Sequence, residues 1–143
     1  MLHVPVIRLD PDLDLPSYAR AGDAGADLVA REDALLAPGG GRALVPTGVA
    51  IAAPPGTDVQ IRPRSGLSSR GVMSTFGTID ADYRGELFVT MYCLPSVGSY
   101  VIEDGERIAQ LVVSRLAEVS WIVVQALDET SRGASGHGST GRG

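Results

Sequence analysis

The feature that most constrains the fold is a series of short sheet-forming stretches separated by glycine- and proline-rich turns. Residues 42–53 and 58–62 place apolar side chains at every second position, and residues 87–94 and 107–116 are further strand candidates. No window carries a sustained apolar period of about 3.6 residues, which an amphipathic helix would require. Because the chain also holds 18 glycines and 9 prolines, the pattern predicts an all-β sandwich, jelly roll or barrel.

Several local expectations follow from single positions. Residues 119–124 are expected to form another strand, and Ser65 is expected to cap a single helical turn. Pro46 and Gly48 lie on the alternate positions of an otherwise apolar strand, which indicates a sheet edge or a bend. The glycines of residues 21–28 suggest backbone that another part of the molecule approaches closely.

The length and net charge of the chain limit the classes of protein to which it can belong. The 143 residues are the length of one domain. A formal net charge of −5 argues against a nucleic-acid polymer as a partner, because phosphate backbones select basic surfaces, but it allows a small anionic ligand. Residues 1–12 carry no long apolar run, so we expect neither a signal peptide nor a membrane span. The lone Cys93, expected in the core or an interface, is typical of a reducing compartment, and we expect a cytoplasmic protein.

The C-terminal residues 131–143 differ in composition from the rest of the chain. They are almost entirely glycine, serine and other polar residues, so alone they cannot bury enough surface to offset the entropy of ordering. One interpretation is a plain disordered terminus. The other is a flexible lid, because glycine N–H groups, the Ser139 and Thr140 hydroxyls and the Arg132 guanidinium suit phosphate oxygens. We therefore expect a domain over 1–130 and a flexible arm over 131–143.

A second polar concentration occupies residues 77–87, directly before a predicted strand. These residues hold three carboxylates, an arginine and a tyrosine, and Gly77 and Gly85 suggest tight turns or close backbone approach. The strand would hold the cluster on a rigid element, where carboxylates are well placed for catalysis. The alternative is a solvated turn with ordinary surface acids, and the stretch alone leaves both interpretations open.

Phosphate-binding groups recur along the chain. Residues 63–68, 105–111 and 131–143 each combine an arginine, a glycine and hydroxyl or amide groups. Together with the acidic segments 21–28 and 77–86, they would make a site for a polyphosphate with a metal ion. A P-loop is excluded, because no lysine follows the C-terminal glycines at the required place and no helix can follow them.

In this order the segments resemble the five motifs of the homotrimeric deoxyuridine triphosphatases (dUTPases). The matching segments are residues 21–28, 63–67, 77–86, 105–111 and 132–141. The resemblance covers nearly the whole chain and implies a distorted jelly-roll β-barrel that hydrolyses dUTP to dUMP and pyrophosphate with Mg²⁺. That activity would keep uracil out of DNA and supply dUMP for thymidylate synthesis. The resemblance also implies a homotrimer with sites shared between subunits.

The resemblance implies a role for each matching residue. Asp80 is expected to be the general base that activates water for attack on the α-phosphorus, and Tyr83 to pack under the deoxyribose and leave no room for a 2′-hydroxyl. Asp27 is expected to hold Mg²⁺ through water. The other substrate-binding residues implied are Arg64, Ser65, Gly66, Gly77, Gln110, Arg132, His137, Gly138, Ser139 and Thr140.

Two features depart from the family pattern. His137 stands where many relatives have phenylalanine, and it could still stack on uracil. The hairpin expected over residues 71–76 is shorter than in many bacterial relatives, with Ser74 and Phe76 in place of Asn and Pro. Since the family selects uracil largely through backbone groups, preference for dUTP over dTTP and dCTP is expected to persist.

Five further residues are expected to have structural or surface roles and not to contact the substrate. Asp82 and Glu86 are expected to be structural or surface acids, and Arg107 to be a buried ion-pair partner. Trp121 is expected in the core or in subunit packing, and Arg84 to be solvated.

Two alternative functions are weighed against the enzyme. A dCTP deaminase belongs to the same superfamily, but those chains are usually longer and lack the Tyr83 context and this tail. A nucleotide-sensing or protein-binding module could keep the fold without turnover, and the presence of Asp80, Tyr83 and the tail argues against it.

Overall fold

The structure is a computed structural model of the chain, and it describes residues 1–136 and 141. Antiparallel strands dominate it, with one short helix, α1 (Ser65–Ser68), and a 3₁₀ turn over Pro95–Val97. The strands in chain order are β1 (Val6–Arg8), β2 (Gly25–Val29), β3 (Ala34–Leu36), β4 (Ala43–Ile51), β5 (Thr57–Arg62), β6 (Val72–Ser74), β7 (Gly77–Ile79), β8 (Glu86–Cys93), β9 (Tyr100–Ile102) and β10 (Arg107–Arg115). The all-β prediction is confirmed.

Two four-stranded sheets enclose the core. One has the order β1-β4-β8-β6, the other β2-β10-β5-β7, and β3 pairs with β9 in a separate two-stranded sheet. Apolar residues from both larger sheets meet in one buried cluster, because alternate side chains along each strand point to the same face. Strand β5 shows this alternation along its whole length. Cys93 is fully buried in this core, as expected.

A bend in β4 confirms the expectation drawn from its proline and glycine. The register of β4 against β8 shifts between Pro46 and Ala50. Gly48 has φ +72°, a left-handed conformation that favours glycine, and a Cβ there would overlap the Leu13 side chain. The bend is interior to the sheet, since β4 lies between β1 and β8.

The prediction of a strand over residues 119–124 is wrong. This segment forms no regular structure, and Trp121 is 90% exposed and Val123 97% exposed. The apolar pattern identifies side chains that avoid water, but among the described residues no sheet of the same chain covers them. Trp121 therefore does not belong to the core.

Two smaller expectations also differ from the structure. Ser65 is the first residue of α1, and Arg64 occupies the N-cap position without a side-chain capping hydrogen bond. Residues 71–76 do not form a hairpin, because β6 pairs with β8 while β7 pairs with β5 in the other sheet. The chain crosses from one sheet to the other at Thr75 and Phe76. No helix in the described part of the chain combines the length and apolar character needed to cross a bilayer.

Candidate active site

One cleft gathers residues from three of the predicted phosphate and metal segments. It has a volume of about 320 Å³, and its lining includes Asp27, Arg64, Ser65, Gly66 and Gln110. Asp27 comes from β2 and Gln110 from β10. Arg64 lies between β5 and α1, and Ser65 and Gly66 begin α1. The antiparallel pairing of β10 with both β2 and β5 brings these segments together.

An ion-pair network fixes the Asp27 carboxylate. Its Oδ1 lies 3.0 Å from Arg64 Nε, and its Oδ2 lies 3.3 Å from Arg107 Nη1. Arg64 Nη1 also donates to the Arg107 carbonyl oxygen over 3.2 Å. Arg107 is an ion-pair partner, as expected, but its side chain is 57% exposed, so the expectation that it is buried is wrong. In the described part of the chain each arginine uses no more than two of its five N–H donors in these contacts, so the others can meet an anion.

A close backbone approach positions Gln110 in the same cleft. Gln110 Nε2 donates to the Pro63 carbonyl oxygen over 2.9 Å, which joins β10 to the segment before α1. A Cβ on Gly25 would overlap the Gln110 side-chain amide. This confirms the expectation of close approach at Gly25, whereas a Cβ on Gly22 would meet nothing within 4 Å.

A second, separate pocket holds the acidic turn between β7 and β8. Its lining includes Asp80, Tyr83, Glu86 and Phe88. Asp80 directly follows β7 and is exposed, and its carbonyl oxygen accepts a hydrogen bond of 3.0 Å from the Tyr83 N–H. Within the part of the chain that the structure describes, no group donates a hydrogen bond to the Asp80 carboxylate. Its oxygens are therefore available to accept a proton from water.

Side-chain hydrogen bonds to backbone carbonyls make this turn rigid. Arg84 Nη1 donates to the carbonyl oxygens of Ala81 and Tyr83 over 2.7 and 2.8 Å. Arg84 is exposed, as expected, but it also ties the turn together. The Tyr83 hydroxyl donates to the Glu86 carbonyl oxygen over 2.8 Å.

Glu86 anchors the end of the turn to the bend in β4. Its Oε1 accepts a hydrogen bond of 2.8 Å from the Gly48 N–H and lies 3.4 Å from Arg31 Nε. The Glu86 side chain is mostly buried, which confirms the expectation of a structural acid. Asp82 is exposed, as expected for a surface acid. The role of Arg31 was missed, because nothing in the sequence links residues so far apart.

The two pockets lie far apart within one chain. Asp27 and Asp80 belong to opposite edges of the sheet β2-β10-β5-β7, separated by three interstrand spacings of about 4.8 Å each. Asp27 is in register with Arg62 across β10, whereas Ile79, next to Asp80, is in register with Val59. Counting these offsets at about 3.3 Å per residue, the two carboxylates are on the order of 20 Å apart.

The segment after Thr130 makes only local contacts where it is described. Arg132 Nε donates to the Ser135 carbonyl oxygen over 2.8 Å, and the Gly133 N–H donates to the Thr130 hydroxyl over 3.1 Å. The predicted site residues His137, Gly138, Ser139 and Thr140 lie outside the described residues.

Glu106 stabilises the turn that begins β10. The Tyr100 hydroxyl donates to Glu106 Oε1 over 2.7 Å, and Glu106 Oε2 accepts from the Glu103 N–H over 3.1 Å. The hydrogen bond to the Glu106 carboxylate, followed by burial, raises the pKa of Tyr100 above its ordinary value. Tyr100 therefore remains a donor at neutral pH and keeps this turn beside Arg107 in place.

Comparison with known proteins adds independent findings. A family model described as dUTPase matches residues 12–141. The deoxyuridine 5'-triphosphate nucleotidohydrolase of Corynebacterium efficiens is 50% identical over 143 residues, which are 98% of this chain and 78% of that protein. The structure of a variant Staphylococcus bacteriophage 80alpha dUTPase with dUpNHpp superposes with a TM-score of 0.83 at 28% identity, covering 99% of this chain and 100% of that one.

A further solved structure concerns a metal. It is a variant dUTPase from phage phi11 of S. aureus, similar with a TM-score of 0.78 at 25% identity over 87% of this chain and 98% of that one. That structure is described as revealing the coordination of a structural Mg(II) ion. The jelly-roll class predicted from the sequence is confirmed by these structural similarities.

Proposed function

Because the chain belongs to the dUTPase family, we propose that its two pockets together carry out one hydrolysis. The protein is a dUTP diphosphatase: it converts dUTP to dUMP and pyrophosphate, which keeps uracil out of DNA and supplies dUMP for thymidylate synthesis. The observation that carries the assignment of residues is the Asp80 carboxylate, which accepts no hydrogen bond from the described residues and lies next to Tyr83 in a rigid turn.

Asp80 is the proposed general base. Its carboxylate would take a proton from the water that attacks the α-phosphorus. A carboxylate is a weak base, so positioning and charge neutralisation must supply much of the rate enhancement. The hydrogen-bonded turn supplies the positioning, because it fixes the backbone from Asp80 to Glu86.

Tyr83 and Gly77 are proposed to contact the nucleoside. The Tyr83 ring would lie under the deoxyribose, where a 2′-hydroxyl would meet it, and the backbone around Gly77 would contact uracil. Support comes from their placement: Gly77 begins β7 and Tyr83 lines the pocket that contains Asp80.

The cleft around Asp27 is the proposed phosphate site. Arg64 supplies charge, Ser65 and Gly66 supply a hydroxyl and backbone N–H groups, and Gln110 supplies an amide. The N–H groups at the start of α1 have no partners inside the helix, so they are available to an anion.

Replacing Gly25 with alanine tests this cleft. The new methyl group would push the Gln110 amide away from its bond to the Pro63 carbonyl, so KM for dUTP is expected to rise about tenfold, the effect of losing one hydrogen bond to a charged group. Steady-state kinetics measure it, with Gly41→Ala as a control outside both pockets. An unchanged KM in a folded Gly25→Ala protein would remove Gln110 from the site.

Mg²⁺ is the proposed cofactor, and the residues fit an ion held mainly by the substrate. Both Asp27 oxygens already face arginines, so they are better suited to accept hydrogen bonds from metal-bound water than to bind an ion directly. No group of three or more metal-binding side chains occurs in the described ranges. Bound to the triphosphate, Mg²⁺ would neutralise part of its negative charge.

A homotrimer with shared sites is proposed from the separation of the pockets. A distance on the order of 20 Å between the two carboxylates is longer than a triphosphate, so one substrate needs Asp80 of one copy and the Asp27 cleft of another. The exposed apolar segment after β10 supplies further support, because covering each such side chain contributes about 1.5–3 kcal/mol. Its exposed members are Leu116, Val119, Trp121, Ile122, Val123, Val124 and Leu127.

The mass in solution tests the assembly. Light scattering at micromolar concentration is expected to give three times the chain mass of 14.9 kDa. A single 14.9 kDa species under those conditions would contradict the shared site.

We also propose that residues 131–143 form a flexible arm on a catalytic domain of residues 1–130. Arg132, Ser139 and Thr140 would grip the outer phosphates with the Gly138 backbone, and His137 would cap the uracil. The exposed, locally bonded segment 131–136 is compatible with an arm that does not pack on its own domain. A cytoplasmic location is part of the same proposal, since the lone Cys93 makes no disulfide.

The assay for the proposed function is release of pyrophosphate from dUTP, compared with dCTP, dTTP and UTP. Rapid release from dUTP alone is expected. Ammonia released from dCTP would identify a deaminase instead, and nucleotide binding without turnover would identify a sensing module.

A further inference from the structure

The position of the Tyr83 ring depends on the residue two places along the chain. The ring folds back over Gly85 so that its hydroxyl reaches the Glu86 carbonyl oxygen at 2.8 Å. A Cβ built on Gly85 would lie 2.5 Å from Tyr83 Oη and 2.7 Å from Tyr83 Cζ. Carbon atoms in favourable contact lie about 3.5–4.0 Å apart, so the ring can occupy this position only because residue 85 has no side chain.

The backbone gives no other reason for glycine here. Gly85 is not among the glycines with positive φ, unlike Gly48 or Gly105, so an alanine could adopt its conformation without strain. The three nearest atoms that its Cβ would meet all belong to Tyr83. The main effect of a methyl group at residue 85 should therefore pass through the tyrosine.

The acceptor for the Tyr83 hydroxyl is itself fixed. The Glu86 side chain bonds the Gly48 N–H and pairs with Arg31, which holds the start of β8 against the bend in β4. The ring therefore occupies the space that a side chain at residue 85 would fill, and its hydroxyl bonds to the Glu86 carbonyl, whose position the Glu86 side-chain contacts fix.

We infer that Gly85 is a specificity-determining residue, which sets discrimination against ribonucleotides by seating Tyr83. This inference rests on the proposed function of Tyr83 against the sugar. With alanine at residue 85 the ring must turn away, and it can do so into solvent because Tyr83 is 41% exposed. The space freed would admit the 2′-hydroxyl of UTP. The turn loses the Tyr83 hydroxyl bond but keeps the Tyr83 N–H bond to the Asp80 carbonyl and the bonds from Arg84, and the phosphate cleft lies in a separate pocket.

The test is a double-mutant cycle on Gly85→Ala and Tyr83→Ala. The ratio of kcat/KM for dUTP to that for UTP is measured by pyrophosphate release for the wild type, each single variant and the double variant. Gly85→Ala is expected to lower this ratio at least about tenfold, mainly by raising kcat/KM for UTP. The double variant should match Tyr83→Ala alone, because without the ring the methyl group has nothing to displace.

Gly41→Ala is the matched control, since Gly41 lies outside both pockets and its φ is also not positive; its ratio should equal that of the wild type. If Gly85→Ala is destabilised by the crowded ring, the double variant should regain the stability of Tyr83→Ala in thermal unfolding.

The inference would be overturned if the ratio of kcat/KM for dUTP to that for UTP were unchanged in Gly85→Ala. It would also be overturned if the double variant had a lower ratio than Tyr83→Ala alone, so that the two effects added. Failure of the proposed function appears differently, as a wild-type protein that does not hydrolyse dUTP or does not discriminate against UTP.

Discussion

Replacing Asp80 with asparagine is expected to lower the turnover of dUTP by about 10²–10⁴-fold, the usual effect of removing a general base. The amide nearly keeps the shape of the side chain but cannot take the proton from water. Since no described group donates a hydrogen bond to the Asp80 carboxylate, the substitution removes no hydrogen bond that the structure describes. The fold, the oligomer and the binding of a non-hydrolysable dUTP analogue should therefore stay close to those of the wild type.

Asp82→Asn is the matched control for this variant. Asp82 is exposed in the same turn, so its substitution should leave turnover nearly unchanged. Single-turnover kinetics, measured with the same fraction of sites occupied by dUTP in each variant, separate the rate of hydrolysis from the affinity for dUTP. If Asp80→Asn turns over within a few-fold of the wild type and Asp82→Asn does not, the base is Asp82.

A chain that ends at Thr130 is expected to remain folded and trimeric but to lose activity by about a hundredfold or more, the effect of removing donors that face transition-state charge. The arm contributes almost no apolar surface, and its described hydrogen bonds are local, so its loss should hardly change the free energy of unfolding. Its thirteen residues can extend about 43–47 Å at roughly 3.3–3.6 Å each, enough to reach a neighbouring subunit.

Two measurements accompany the truncation. Arg132→Ala in the full chain isolates the guanidinium and should lose part of the activity that the truncation removes. Limited proteolysis should cut the arm in the free protein and spare it when a non-hydrolysable dUTP analogue and Mg²⁺ are bound. A truncated protein as active as the full chain would show that residues 131–143 are an ordinary terminus.

Much of the fold was predictable because strands with one buried face impose a period of two. Strand β5 and the bend near Gly48 both follow from local residue types. The failure at residues 119–124 has the same origin, since an apolar pattern indicates burial without identifying the chain that provides it.

The chemistry of the site was easier to predict than its geometry. Gly25 could be marked as a place of close approach, but its neighbour Gln110 is 85 positions away in sequence and meets it only through strand pairing. For the same reason, the contacts of Glu86 with Gly48 and Arg31 could not be predicted from the sequence. Side-chain contacts between distant segments depend on register, which local patterns do not determine.

We propose that one active site combines Asp80 of one subunit with the phosphate cleft of another. Mixing two inactive proteins, Asp80→Asn and Arg64→Ala, tests it most directly, after the chains are unfolded and refolded together to exchange subunits. In a ring of three copies, each site would draw on two neighbours, so an equal mixture should regain about a quarter of the wild-type dUTP turnover. A mixture that forms trimers but stays as inactive as its components would show that each site lies within one chain.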